Sequence, residues 1–165
     1  MRIEPLSPAD ASAVEALLDE AFGVDRHTRT AYRLREGASS IPDLSLAARE
    51  DGLIGSVQCW PVLFVDAAGR ATPLVLLGPV AVGAAHRDLG IGSTLIRAML
   101  ARVGQMPVML IGDVSYYGRF GFTADHTARW TLPGPVERER LLARRAAALD
   151  RPGAVRPATC ERIAA

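Results

Sequence analysis

Hydrophobic positions change period several times along this chain, and each change marks an element. Ser7-Pro8-Ala9-Asp10 reads as a helix start, with Ser7 as N-cap, Pro8 at the first helical position and Asp10 as the acidic partner of a capping box. Val14, Leu17, Leu18 and Ala21 follow at helical spacing, with Asp19 and Glu20 on the wet side. A weaker helical stretch covers about residues 29–35 and stops at Gly37, and Pro42 closes the region. Strand patterning then takes over. Residues 44–49, the turn Glu50-Asp51-Gly52 and residues 53–60 predict a hairpin, which residues 62–65 continue to a turn at Asp66-Ala67-Ala68-Gly69. Residues 74–82 are apolar at nearly every position, the pattern of a central strand covered on both faces. A helix is expected over 92–103, with Leu95, Met99 and Val103 on one stripe; Pro107 closes it before a buried strand at 108–111. Strand, helix, strand at this spacing predicts a right-handed crossover between parallel strands. Further on, residues 128–132 read as an antiparallel return strand and residues 137–149 as an arginine-rich helix. Pro152, Gly153 and Pro157 mark a loose tail from about residue 150. The expected class is α/β, a mixed central sheet flanked by helices, in one domain over residues 1–165.

Composition narrows the functions open to such a chain. With 165 residues, 49% hydrophobic and 22% charged, it can bury a core and is not intrinsically disordered. Nineteen basic residues against eighteen acidic leave a formal charge of +1, which gives no global argument for nucleic acid or an anionic membrane as partner. All the basic residues are Arg, so no mechanism can use a catalytic lysine. Arg138, Arg140, Arg144 and Arg145 alternate with Glu137 and Glu139, the pattern of a solvated helix face. Cys59 and Cys160 stand far apart and read as free thiols of a reducing cytoplasm. His27 and His126 have no partner at metal-ligand spacing, so no metal is expected, and Trp60 and Trp130 read as core or rim aromatics. The opening residues lack the apolar stretch of a secretory signal, and the apolar run of residues 74–85 is too short to span a bilayer.

The chemistry concentrates after the central strand. Val80-Ala81-Val82 ends that strand, and Arg87-Asp88-Leu89-Gly90-Ile91-Gly92-Ser93 leads into the long helix. Glycines at 90 and 92 let a ligand approach the backbone. The amides of a first helical turn have no intrahelical acceptor, and the helix dipole adds partial positive charge there. Such a turn suits phosphate or diphosphate, with Arg87 as an added charge. A third glycine is missing for a Rossmann site, and the Gly-Lys-Ser/Thr ending of a P-loop is absent. A second segment, Gly112-Asp113-Val114-Ser115-Tyr116-Tyr117-Gly118-Arg119-Phe120-Gly121-Phe122, leaves the carboxyl end of the neighbouring parallel strand, where open α/β sheets place ligands. Phe120 and Phe122 read as an aromatic plug, which leaves one tyrosine hydroxyl for a ligand. Gly78-Pro79 reads as a bulge, since proline cannot donate within a central strand.

These two segments resemble the GNAT (Gcn5-related) N-acetyltransferase superfamily and, within it, the bacterial YhbS-type branch. Arg87-Asp88-Leu89-Gly90-Ile91-Gly92 matches the family's Arg/Gln-x-x-Gly-x-Gly/Ala signature, and Tyr117-Gly118-Arg119-Phe120-Gly121-Phe122 looks like its Tyr-x-x-x-Gly-Phe element. The resemblance covers roughly residues 1–135. It implies splayed central strands, with the diphosphate of acetyl-CoA on the amides of Arg87 to Ser93 and the pantetheine arm along Val80, Ala81 and Val82. It also implies Tyr117 as general acid to the CoA thiolate. The acceptor it implies is a small-molecule amine or a protein amino group, attacking directly in a ternary complex, and it allows a homodimer. The family's asparagine shortly before the tyrosine is replaced by Asp113-Val114-Ser115, and no carboxylate stands out as general base; Asp113 and Glu50 are candidates, and water-mediated deprotonation needs neither. Two alternatives share the same turn: a non-catalytic acyl-CoA sensor, and a transferase of another acyl group.

Overall fold

The computed structural model describes residues 1–159. Its strands are β1 (Arg2–Pro5), β2 (Leu46–Arg49), β3 (Leu53–Asp66), β4 (Ala71–Val82), β5 (Val108–Ile111), β6 (Trp130–Thr131), β7 (Leu141–Arg144) and β8 (Gly153–Pro157). Its α-helices are α1 (Ala11–Phe22), α2 (Thr30–Arg33), α3 (Ile91–Arg102) and α4 (Val114–Tyr117). The strands form one mixed sheet in the order β1-β2-β3-β4-β5-β7, with β8 joining β3 and β6 joining β8. β1 with β2, β2 with β3, β3 with β8 and β5 with β7 pair antiparallel. β4 meets β5 in parallel at Val75↔Val108 and Leu76↔Met109, as the crossover pattern predicted, and β6 runs parallel to β8.

Two compact units make up the chain. The first holds Met1–His27, Ser40–Cys59 and Leu77–Gly104. At its start the Asp10 carboxylate accepts from the Ser7 amide (2.8 Å) and hydroxyl (3.0 Å), the expected capping box. Those bonds, led by the backbone one and joined by Arg49, hold the Asp10 carboxyl below the usual carboxylate range. α1 then buries Val14, Leu17 and Leu18 against Ala81 of β4. α3 buries Ile91, Leu95, Ile96 and Met99. Its first turns sit over Gly55 of β3, where a Cβ would stand 3.0 Å from Ile91 Cγ2 and 3.3 Å from Leu95 Cδ1. β4 runs unbroken through Gly78-Pro79, where Gly78 takes a φ of +127° before a cis peptide bond.

The second unit holds Thr28–Ser39, Trp60–Leu76 and the chain from Gln105 onward. Phe64, Leu74, Leu76, Met109, Trp130 and Leu141 are among its core residues. The Trp130 indole N–H donates to the Leu149 carbonyl at 2.9 Å, so this tryptophan is a core residue with its polar atom satisfied.

This unit corrects four expectations. Instead of a helix over 137–149, Leu141–Arg144 forms β7, antiparallel to β5 from Val108↔Arg144 to Ile111↔Leu141. Leu-Leu-Ala-Arg has good helix propensity, but pairing with a buried strand outweighs it. The arginines there are not a solvated helix face. Arg138 donates to the Trp130 carbonyl, Arg144 to the Phe120 carbonyl and Arg145 to Gln105, while Arg140 pairs with Asp113. The return strand expected at 128–132 shortens to β6, and its pairing is parallel. The tail expected to be loose from residue 150 forms β8, antiparallel to β3 from Val62↔Pro157 to Asp66↔Gly153. Gly153 stands there for closeness, because any Cβ would overlap the Phe64 ring. Cys160 lies outside the described residues.

Candidate active site

β4 ends at Val82, and the next two residues are tied down. Gly83 N–H donates to the Ile54 carbonyl, and Ala84 N–H to Glu20 Oε1, each at 2.9 Å. One 3-10 turn, Ala84–His86, follows, closed by His86 N–H to the Gly83 carbonyl (2.9 Å) and Arg87 N–H to the Ala84 carbonyl (3.5 Å). The backbone then takes left-handed angles at Asp88 (φ +64°) and at Gly90 (φ +74°), the N-cap of α3. A Cβ at Gly90 would meet nothing within 4 Å, so the conformation, not space, favours glycine there.

The helical ladder opens with Thr94 N–H to the Gly90 carbonyl at 3.0 Å, and the Thr94 hydroxyl donates to the same oxygen. Consequently the amides of Ile91, Gly92 and Ser93 have no carbonyl within the helix to reach, and the dipole of twelve residues points its positive end at them. Arg87, Asp88, Leu89 and Gly90 are exposed around this terminus. Thus the turn gathers the residues from Arg87 to Ser93. On β4, Ala81 turns to α1, whereas half-buried Val80 and Val82 take the other face by strand alternation.

Tyr117 closes the four-residue α4, its amide donating to the Asp113 carbonyl at 2.9 Å. The ring lies on Gly112, where a Cβ would stand 2.5 Å from Tyr117 Cε2 and 2.9 Å from Cδ2. Edge contacts to Tyr116 (4.9 Å between centroids) and Phe122 (6.2 Å) hold it from two further sides. Burial, aided by the neighbouring Tyr116 and Asp113, pushes the Tyr117 hydroxyl up to about 12. It is a neutral donor at any physiological pH. Tyr116 instead packs on Phe120, with the Arg119 guanidinium 4.2 Å from its ring. Phe120 and Phe122 are buried, as an aromatic plug requires.

The two base candidates are exposed and paired. Asp113 meets Arg140 at 3.1 Å, and Glu50 meets the Met1 ammonium at 4.0 Å. Burial pushes the Cys59 thiol up to about 12, which removes it as a nucleophile. His126 pairs with Asp150 at 3.3 Å, and His27 lies beside Arg26. Among the described residues, no three His, Cys, Asp or Glu side chains cluster as a metal site, and no helix is long and apolar enough to cross a membrane. Two positions escaped the sequence pattern. Glu20 reads only as the wet side of a helix, and Gly112 only as the end of a strand; neither carries a local signal of its partner.

Comparison with known proteins settles the family. The model of the acetyltransferase (GNAT) domain matches residues 2–124. This chain belongs to the GNAT acetyltransferase family. YhbS of Escherichia coli K12, an uncharacterized N-acetyltransferase, is 32% identical over an alignment of 132 positions that covers 77% of this chain and 77% of YhbS. The crystal structure of E. coli YhbS in complex with CoA superposes with a TM-score of 0.73 at 29% identity, covering 94% of this chain and 88% of that one. A GNAT acetyltransferase from Brucella melitensis, in complex with acetyl-CoA, gives 0.59 at 30% identity, covering 89% and 97%. Both the α3 turn and Tyr117 of this GNAT member fall inside the matched residues.

Proposed function

We propose that this GNAT acetyltransferase moves the acetyl group of acetyl-CoA to a primary amine by direct attack in a ternary complex. One observation carries the reading: the amides of Ile91, Gly92 and Ser93 stand without helical acceptors at the positive end of α3. The diphosphate of acetyl-CoA rests on these and on the amides of Asp88, Leu89 and Gly90, with Arg87 adding a fixed charge. The pantetheine arm follows Val80, Ala81 and Val82, and a backbone amide near Val82 polarises the thioester carbonyl. CoA and acetyl-CoA bound to the two related structures support this assignment of the ligand.

The amine nitrogen bonds to the thioester carbon, the carbon–sulfur bond breaks, and the nitrogen's extra proton passes to water. Tyr117 donates a hydrogen bond to the departing sulfur. An alkyl thiol titrates at roughly 8–9, so a phenol held at about 12 gives a hydrogen bond to the thiolate rather than a completed proton transfer. The acceptor is a small-molecule amine or a protein amino group, and the setting is the bacterial cytoplasm. Residues 125–159 belong to the same domain as the matched region, a reading supported by the pairing of β7 with β5 and of β8 with β3.

The test is release of free thiol from acetyl-CoA across a panel of amines, beside calorimetric titration of acetyl-CoA alone. Amine-dependent thiol release is expected. Binding with no turnover on any acceptor would replace the transferase by an acyl-CoA sensor, and absence of binding would overturn both.

A further inference from the structure

We infer that Glu20 is a positioning residue for the diphosphate turn: its carboxylate fixes where the row of free amides begins. The inference rests on the proposed acetyl-CoA reading and deepens it at the same site. Glu20 lies in the last turn of α1, three residues after Leu17, so both project from one helix face. Leu17 is buried with Val14, Leu18 and Ala81, which docks that face against the end of β4. Its Cδ1 would stand 3.8 Å from a Cβ on Gly83, at the entrance to the turn. From that anchored position the Glu20 carboxylate takes the Ala84 amide at 2.9 Å.

The tie propagates along the backbone. Ala84 supplies the carbonyl for the Arg87 amide, and Gly83, itself held by Ile54, supplies the carbonyl for the His86 amide. Both supports of the 3-10 turn therefore originate at two residues whose own N–H groups are tethered, one to β3 and one to α1. Release of the Ala84 tether frees the residue that seats Arg87, upstream of the left-handed Asp88 and Gly90.

A carboxylate beside an anion site has a second, opposing effect. Its charge repels phosphate, and loss of that charge alone would tighten donor binding. The two roles therefore predict opposite signs. Under the positioning role, Glu20→Ala raises KM for acetyl-CoA about three- to tenfold, the range of one hydrogen bond, with kcat at saturation unchanged. Glu20→Gln keeps a carbonyl oxygen for the Ala84 amide and restores KM to the wild-type value or below it.

Acetylpantetheine, a donor without the diphosphate, supplies the control. Wild type and Glu20→Ala should use it with equal kcat/KM, an equality that a misfolded variant would not show. If Glu20→Ala leaves KM for acetyl-CoA unchanged or lowers it, or impairs both donors alike, the positioning role is wrong. If wild type itself shows no preference for acetyl-CoA over acetylpantetheine, the diphosphate turn of the proposed function fails instead.

Discussion

In the proposed donor site the turn around residues 87–93 contributes backbone, whereas α4 contributes a side chain. In the turn the proposed binding groups are peptide N–H donors, set by left-handed angles at Asp88 and Gly90 and by the tethers at Gly83 and Ala84. In α4 the proposed donor is one phenol, held by the volume around its ring at Gly112, Tyr116 and Phe122. A site built from backbone tolerates changes of side chain and fails when φ is changed. A site built from a packed ring tolerates changes of φ nearby and fails when volume is added or the polar atom removed.

Substitutions can break this contrast. Tyr117→Phe keeps the packing and removes the donor, so kcat should fall about tenfold to a hundredfold while KM for acetyl-CoA stays within about twofold, as steady-state kinetics would show. A fall in both by the same factor would mean that the phenol serves the grip on the donor. Gly112→Ala adds a Cβ 2.5 Å from the Tyr117 ring and should lower kcat by about tenfold through displacement of that ring. In the Tyr117→Phe background the same alanine should cost little more in kcat; a fully additive loss would show that Gly112 acts on something other than the hydroxyl.

Gly90→Ala forces a Cβ into φ +74° at a cost of about 1–2 kcal/mol, with open space around it. KM for acetyl-CoA should rise several-fold with kcat unchanged, and Gly90→Asn should lose less, because asparagine tolerates left-handed angles. The smallest expected effect is one of pH. With its folded-state value raised to about 12, the Tyr117 hydroxyl keeps its proton through pH 10, where an unburied phenol is half ionised, so kcat should show no alkaline fall from this group below about pH 11. The stability linked to the same group is fully present below pH 10 and is lost as pH rises from about 10 through 12, and Tyr117→Phe should flatten that limb of a pH-dependent melting curve.

What was legible in the sequence follows the same division. Features determined by adjacent residues could be read directly. The Ser7–Asp10 capping box, the Asp51-Gly52 turn, the Asp66 turn and the strand–turn–helix unit from Val80 to Ser93 all stand where their local chemistry puts them. Features determined by distant partners could not. Residues 141–144 satisfy a helix or a strand equally until β5 is beside them, and Gly153 reads as looseness until Phe64 is seen against it. In the site, the glycines of the turn carried their own signal. The tether from Glu20 spans 64 residues, and the seat of Tyr117 depends on a ring folding back over Gly112.

β8 has a bearing on how the chain is made. Residues 153–157 cover the edge of β3 from Val62 to Asp66, the stretch that carries the buried Phe64. During synthesis that apolar ladder is complete some ninety residues before its partner emerges, and until then its N–H and C=O groups are open to any other strand. Slow translation would lengthen that exposure, and removal of the segment after Asp150 would restore it.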